Sequence, residues 1–217
     1  MTDKNYTDLT IVLDRSGSMS SFGSEVITSI NAFLEKQKKE VGKCLVTLIQ
    51  FDSANRYDVV LDKVDIKNAR LETFDPRGTT PLYDCLGRAI NDAGARFKSM
   101  AESERPANVV FLIMTDGFEN ASVEFTSEQV KGMVQTQENE FNWNFVYLGA
   151  NQNAMVEGAK FGTSAAKSAN FKSFDSALDV YSNKLSRSRG LAASGASLQA
   201  IKASHEYTQE EREKTEA

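Results

Sequence analysis

Two short apolar runs constrain this chain more than any other feature. They are Leu9-Thr-Ile-Val-Leu13 and Asn108-Val-Val-Phe-Leu-Ile-Met114, and each is followed within two residues by an aspartate. Both are rich in β-branched residues, short, and without helical period, as strands buried on both faces must be. A strand of that kind needs layers above and below it, so the rest of the chain has to supply helices for two sides of a sheet. The runs stop at Asp14, followed by Arg15, Ser16, Gly17 and Ser18, and at Thr115, Asp116 and Gly117. Carboxylates and hydroxyls are thus concentrated where buried strands emerge into solvent. They are the oxygen ligands that hard cations such as Mg²⁺ prefer.

The remaining sequence supplies those layers. A strand over 8–14 is followed by a helix over about 23–40, with Val26, Ile27, Ile30, Phe33 and Leu34 as its apolar stripe and Gly42 beyond its end. Strands over 45–51 and 57–64, joined by the short polar turn 52–56, read as an antiparallel hairpin at a sheet edge. After a loop over 65–79, the clearest helical period in the chain spans 81–102, carried by Leu82, Leu86, Ala89, Ile90, Ala93, Phe97 and Met100. Thr80 and Pro81 suit its cap and first position. A strand over 108–114, a helix from Ser127 to about Glu138 and a strand over 144–148 follow. Helices over 152–160 and 174–189 flank a short last strand near 165–171. Beyond Lys202 the chain is polar and charge-rich, and fraying is expected there. Alternating strands and amphipathic helices specify an α/β fold: a doubly wound (Rossmann-like), mainly parallel sheet with one antiparallel edge strand and helices on both faces. Ligands of such sheets bind beyond the strands' carboxyl ends, where the strand order reverses, and Asp14 and Asp116 both lie at such ends.

With 217 residues, 41% of them hydrophobic, the chain is long enough for one domain with a substantial core. The expected division is an N-terminal extension over 1–7, the domain over 8–190 and a polar tail over 191–217. A net charge of −5 gives no general attraction for nucleic acid or an anionic membrane. No run approaches a membrane span, and Met1–Thr7 is too polar for a signal peptide, so the expected location is cytoplasmic. Cys44 and Cys85, the only cysteines, read as small buried hydrophobes, and Phe33, Phe97, Phe111 and Tyr181 as core. Trp143, in the polar setting Asn-Trp-Asn, reads as surface packing, and Lys36–Lys39 as the wet face of its helix. His205, the one histidine, lies in the tail, which removes the base that a serine or cysteine nucleophile needs.

Asp14-Arg-Ser16-Gly-Ser18 matches the DxSxS motif of von Willebrand factor A domains. Gly78-Thr-Thr80-Pro-Leu-Tyr-Asp84 is similar to that family's threonine loop, and Phe111-Leu-Ile-Met-Thr-Asp116-Gly117 to its second aspartate strand. The three elements stand in the family's order, and the resemblance runs from about residue 8 to about residue 190. It implies a metal-ion-dependent adhesion site in which Asp14, Ser16, Ser18, Thr80 and Asp116 hold a divalent ion. The ion is usually Mg²⁺, with Mn²⁺ and Ca²⁺ as alternatives, and one coordination position is left for an Asp or Glu carboxylate of a protein partner. The chain resembles the short stand-alone members found in bacteria and bacteriophages, whose roles are often scaffolding ones or linked to an ATPase or a tellurium-resistance type system. It departs from the family at Thr79, where many members have a second glycine, so that Thr79 competes with Thr80 as the ligand. Arg15 and Met19, on the same rim, read as selectivity or packing residues, and Glu119 stays outside the site.

Each motif also has a plain reading. Asp14 and Ser16 suit a polar turn, Thr80 a helix cap and Asp116-Gly117 an ordinary turn. The competing function is a metal-dependent hydrolase or phosphotransferase using Asp14. Phosphotransferases of the haloacid-dehalogenase type need a second aspartate two residues on, where this chain has Ser16.

Overall fold

The computed structural model describes residues 2–217. Six strands, β1 (Asp3–Asp14), β2 (Lys43–Phe51), β3 (Asp58–Asp65), β4 (Pro106–Thr115), β5 (Asn144–Ala150) and β6 (Ser168–Phe171), form one sheet in the order β3-β2-β1-β4-β5-β6. Every pairing is parallel except β2 with β3, the expected hairpin. The order reverses between β1 and β4, which places Asp14 and Thr115 on adjacent strand ends at the switch point.

The alternation of side chains along β1 decides what each layer is made of. Leu9, Ile11 and Leu13 face one side, where helices α1 (Glu25–Gln37) and α5 (Phe174–Ser194) bring Ile30, Phe33, Leu34, Leu178, Tyr181 and Leu185 against them. Val12 faces the other, covered by α2 (Leu82–Ser99), α3 (Ser127–Glu140) and α4 (Ala154–Lys160) through Leu86, Ile90, Val130 and Ala154. Cys44 and Cys85 are both buried and free. No helix among the described residues is long and apolar enough to cross a membrane.

The structure departs from the expectations in three places. Strand β1 starts at Asp3 rather than residue 8, because Tyr6 and Thr7 are buried and pair with Lys43 and Cys44. Trp143 is not on the surface; it stacks on Phe111 at 5.5 Å and meets Phe97 edge-on. The residues after Lys202 do not fray. Helices α6 (Leu198–Ala203) and α7 (Gln209–Thr215) pack on α5, and α7, started by a reciprocal cap between Thr208 and Glu211, also meets β6. Thr215 Oγ1 donates to Asn170 O at 2.6 Å, and Thr215 O accepts from Lys172 N at 3.1 Å. The tail thereby occupies polar groups along β6 that an edge strand would otherwise leave open. Composition hid this, since the few residues that anchor the tail, Ile201, His205, Tyr207 and Thr215, are scattered among charged ones.

Candidate metal centre

Loops from four parts of the chain meet above the switch point. The turn after β1 is tied to the loop before α2 by Gly17 N donating to Gly78 O at 3.1 Å and Arg77 N donating to Arg15 O at 2.9 Å. Gly78 has φ +68°, and a Cβ there would run into Ser53 Oγ, so only glycine suits this crossing. Thr79 is exposed, its N–H bonded to Ser53 Oγ at 3.0 Å, so its side chain is accommodated at the surface. Thr80 is the threonine that turns inward.

The five expected residues come together. Asp14, Ser16, Thr80 and Asp116 are buried, and Ser18 sits at the open side. Ser16 Oγ and Ser18 Oγ are 3.2 Å apart, and Ser18 Oγ donates to Asp116 Oδ1 at 2.6 Å. The backbone of Gly117 marks the middle of the group. A Cβ built there would stand 3.3 Å from Thr80 Oγ1, 3.5 Å from Ser18 Oγ and 4.0 Å from Asp14 Oδ2. Glycine leaves that space open.

Two of the plain readings are tested by these contacts. Asp14 does close a turn, with Oδ1 accepting from Ser16 N at 2.7 Å, while its Oδ2 accepts from the Thr115 hydroxyl. Thr80, however, does not cap α2. The helix has no side-chain cap of its own, and its first N–H groups are taken by Glu119 Oε2, which accepts from Tyr83 N, and Ser122 Oγ, which accepts from Asp84 N, both at 3.0 Å. The Thr80 hydroxyl is thus not used by the helix and lies beside Gly117. Glu119 also accepts from the N–H groups of Ala121 and Ser122, so its charge is spent on ordering its own loop.

Electrostatics sharpen the picture. Burial pushes the Asp14 carboxyl up to about 6, against hydrogen bonds from Thr115 and Ser16 that lower it, with the charge of Asp116 adding to the rise. Asp116 is raised as well, by burial, with the Ser18 hydroxyl opposing. No lysine, arginine or histidine pairs with either acid among the described residues. Arg15, next to Asp14 in sequence, turns away and pairs with Asp52 at 2.7 Å and Asp58 at 2.8 Å. Two adjacent buried acids with raised pKa values and no cation are an environment that a bound positive ion would relieve. The donors are two carboxylates and three hydroxyls, hard oxygens without thiolate or imidazole, a set suited to Mg²⁺, Mn²⁺ or Ca²⁺. Among the described residues there is no group of three or more His, Cys, Asp or Glu that could hold a metal, so hydroxyls must complete any shell built here.

Sequence reading missed the residues around the five. Thr115, the polar end of an otherwise apolar strand, was a usable signal for the group that orients Asp14. Asp52, Asp84 and Arg56, which pin the loops, carry no local signal of their role. Met19, on the expected rim, is fully buried core, and Arg15 is a packing residue.

Comparison with known proteins identifies the family and the fold. A sequence profile of the von Willebrand factor type A domain matches residues 8–186. No curated protein matches the chain significantly. Among solved structures, proximal thread matrix protein 1 from the mussel byssus, in a form described as having a zinc-occupied MIDAS motif, superposes with a TM-score of 0.57 at 16% identity, over 88% of this chain and 47% of its own. A von Willebrand factor type A protein from Catenulispora acidiphila gives 0.53 at 12% identity, over 92% and 42%. The pilus adhesin SpaC from Lactobacillus rhamnosus GG, in its open conformation, gives 0.58 at 16%, over 84% and 30%. The chain therefore spans about half or less of the length of these proteins, and at such identities the likeness is one of fold. Domains of this family generally mediate protein–protein interaction and typically act as non-enzymatic binding modules. From the profile match over residues 8–186 and the doubly wound sheet, the chain belongs to the von Willebrand factor type A domain family.

Proposed function

We propose that this protein is a divalent-metal-dependent protein-binding module and not an enzyme. Asp14, Ser16, Ser18, Thr80 and Asp116 hold a Mg²⁺ ion, with Mn²⁺ and Ca²⁺ as substitutes. An Asp or Glu side chain of a protein partner completes the shell. The observation that carries this reading is the meeting of hydroxyls and acids from three distant segments around Gly117, with no protein cation beside the acids and with the Thr80 hydroxyl unused by its helix. The ion, when bound, supplies a Lewis-acidic position for a carboxylate. The chain's own groups orient that position. Thr115 and the Ser16 N–H fix the Asp14 carboxylate, Ser18 bridges to Asp116, and Ser18 lies at the mouth where a partner arrives. The neighbour's zinc-occupied MIDAS motif supports a divalent ion in this fold.

Hydrolysis is less well supported. His205 is buried and hydrogen-bonded to Ser188 Oγ at 2.9 Å and Tyr181 OH at 3.2 Å, and both partners are buried too. That leaves Ser16 and Ser18 without an imidazole base.

Calorimetric titration with Mg²⁺ or Mn²⁺ tests the proposal. Wild type should bind one ion per chain, and Asp14→Ala, or Ser16→Ala with Ser18→Ala, should abolish binding with the fold retained. Asp116→Ala should weaken binding less than Asp14→Ala, since Asp116 is the less buried and is tied to the cluster through Ser18. Equal affinity in wild type and Asp14→Ala would refute the assignment.

A further inference from the structure

We propose that Asp84 is a positioning residue for the ion site, holding the loop after β4 against the start of α2 so that Thr80 and Asp116 form one preset unit. The inference rests on the metal-binding reading above.

Asp84 is fully buried, and its carboxylate is enclosed by three successive N–H groups. Val123 N donates to Oδ2 at 2.9 Å, Glu124 N to Oδ1 at 2.8 Å and Phe125 N to Oδ1 at 3.0 Å. Such a run of amides is an anion-binding nest, here filled by the protein's own acid. Arg56, from the β2–β3 turn, closes the other side at 2.9 Å and also donates to Ala121 O. Burial by itself would raise the carboxyl, but the three amides and Arg56 hold it below its usual range, so it stays ionised.

The same loop returns the contact. Asn120 holds the backbone of Thr80 twice, its Oδ1 accepting from Thr80 N at 2.9 Å and its N–H donating to Thr80 O at 3.2 Å. One turn along α2, Gly87 gives the ring of Phe125 a seat: a Cβ at Gly87 would lie 2.7 Å from ring carbons. The segment that begins at Asp116 is therefore clamped to the segment that carries Thr80 at its backbone, its charge and its apolar anchor. No side chain that makes the clamp is a proposed ligand, and Thr80 enters it only through its backbone. Its effect on an ion is geometric, because a Mg²⁺ or Mn²⁺ shell tolerates displacements of only about 0.5 Å in its ligands.

The test is Mn²⁺ titration of the full chain at 10 °C, with folding of each variant checked by near-ultraviolet circular dichroism. Asp84→Ala should be folded at that temperature and bind Mn²⁺ at least tenfold more weakly than wild type. Asp84→Asn, which keeps one acceptor oxygen and the shape, should recover part of the loss. A purely stabilising Asp84 would lower the melting temperature and leave the affinity of the folded protein unchanged. Folded Asp84→Ala with wild-type affinity would overturn the proposal. If Asp84→Ala does not fold, Gly87→Ala, which displaces Phe125 without altering charge, takes its place under the same criterion. Failure of wild type to take up Mn²⁺ would overturn the ion site itself and this inference with it. A binding wild type beside an unaffected Asp84→Ala or Gly87→Ala would overturn the inference alone.

Discussion

Replacing Arg15 by methionine should destabilise the protein by about 3 kcal/mol, although Arg15 sits inside the ion-site motif and is not one of its ligands. Arg15 is 6% exposed, and its Nε and Nη2 meet Asp52 Oδ2 at 2.9 Å and 2.7 Å. Its Nη1 donates to Gln50 Oε1 at 2.9 Å and Asp58 Oδ2 at 2.8 Å. Asp52 is 0% exposed, so removing Arg15 leaves a buried acid with much of its compensation gone. Removing one partner of such a pair costs about 3 to 5 kcal/mol. The lower end applies here because Asp52 keeps the N–H groups of Ala54 at 2.6 Å and Asn55 at 2.9 Å, and Arg77 Nε at 3.2 Å. With an unfolding entropy of about 0.45 kcal/mol/K for a chain of this length, the melting temperature should fall by about 7 °C. Thermal melts of Arg15→Met, Asp52→Asn and the double variant give the coupling. The double variant should be at least 1.5 kcal/mol more stable than the sum of the singles implies, because neither member of the buried Arg15–Asp52 pair is left charged without the other. A shift below 2 °C for Arg15→Met, or strict additivity, would refute the reasoning.

Stability in acid should depend on His205. Burial, with the charges of Lys167 and Lys184 adding, holds its pKa down to about 3. The unfolded chain takes up a proton near pH 6.5 and the folded chain does not, so this contribution is complete above about 6.5 and is lost as pH falls toward 3. Between pH 7 and pH 5 wild type should lose about 2 kcal/mol more than His205→Gln in urea unfolding, and parallel pH dependences would contradict the burial argument. Truncation after Ala203 should lower the melting temperature and shift elution in size-exclusion chromatography toward higher oligomers, because β6 loses the contacts from Arg212 and Thr215; unchanged elution would show that the tail does not guard that edge. Gly117→Ala should leave the melting temperature within about 2 °C and weaken Mn²⁺ binding at least tenfold, since its methyl group enters the space among Thr80, Ser18 and Asp14. Wild-type affinity in that variant would place the ion elsewhere.

Periodicity and burial demand carried the fold. The runs Leu9–Leu13 and Val109–Met114 had to be central strands, since no other arrangement covers both their faces, and the helical stripes supplied the cover. The five residues of the candidate centre were legible for a related reason. They sit where apolar strands end, and short polar side chains there are conspicuous against their surroundings.

Scattered anchors were not legible. His205, Tyr207 and Thr215 are outnumbered by charged neighbours, and their burial depends on a distant sheet edge that no local window contains. Trp143, flanked by asparagines, is stacked by Phe111 from another strand.

By itself the sequence determined the layered architecture, the switch point and the set of oxygen-bearing side chains that reach it, because these follow from side-chain period and from where apolar runs stop. Only the tertiary structure decided that Thr80 rather than Thr79 turns inward, that Arg15 turns away to Asp52, and that Asp84 gathers the amides of 123–125. Those choices are made by hydrogen bonds between residues tens of positions apart, and which donor meets which acceptor is settled when the loops pack over the finished sheet.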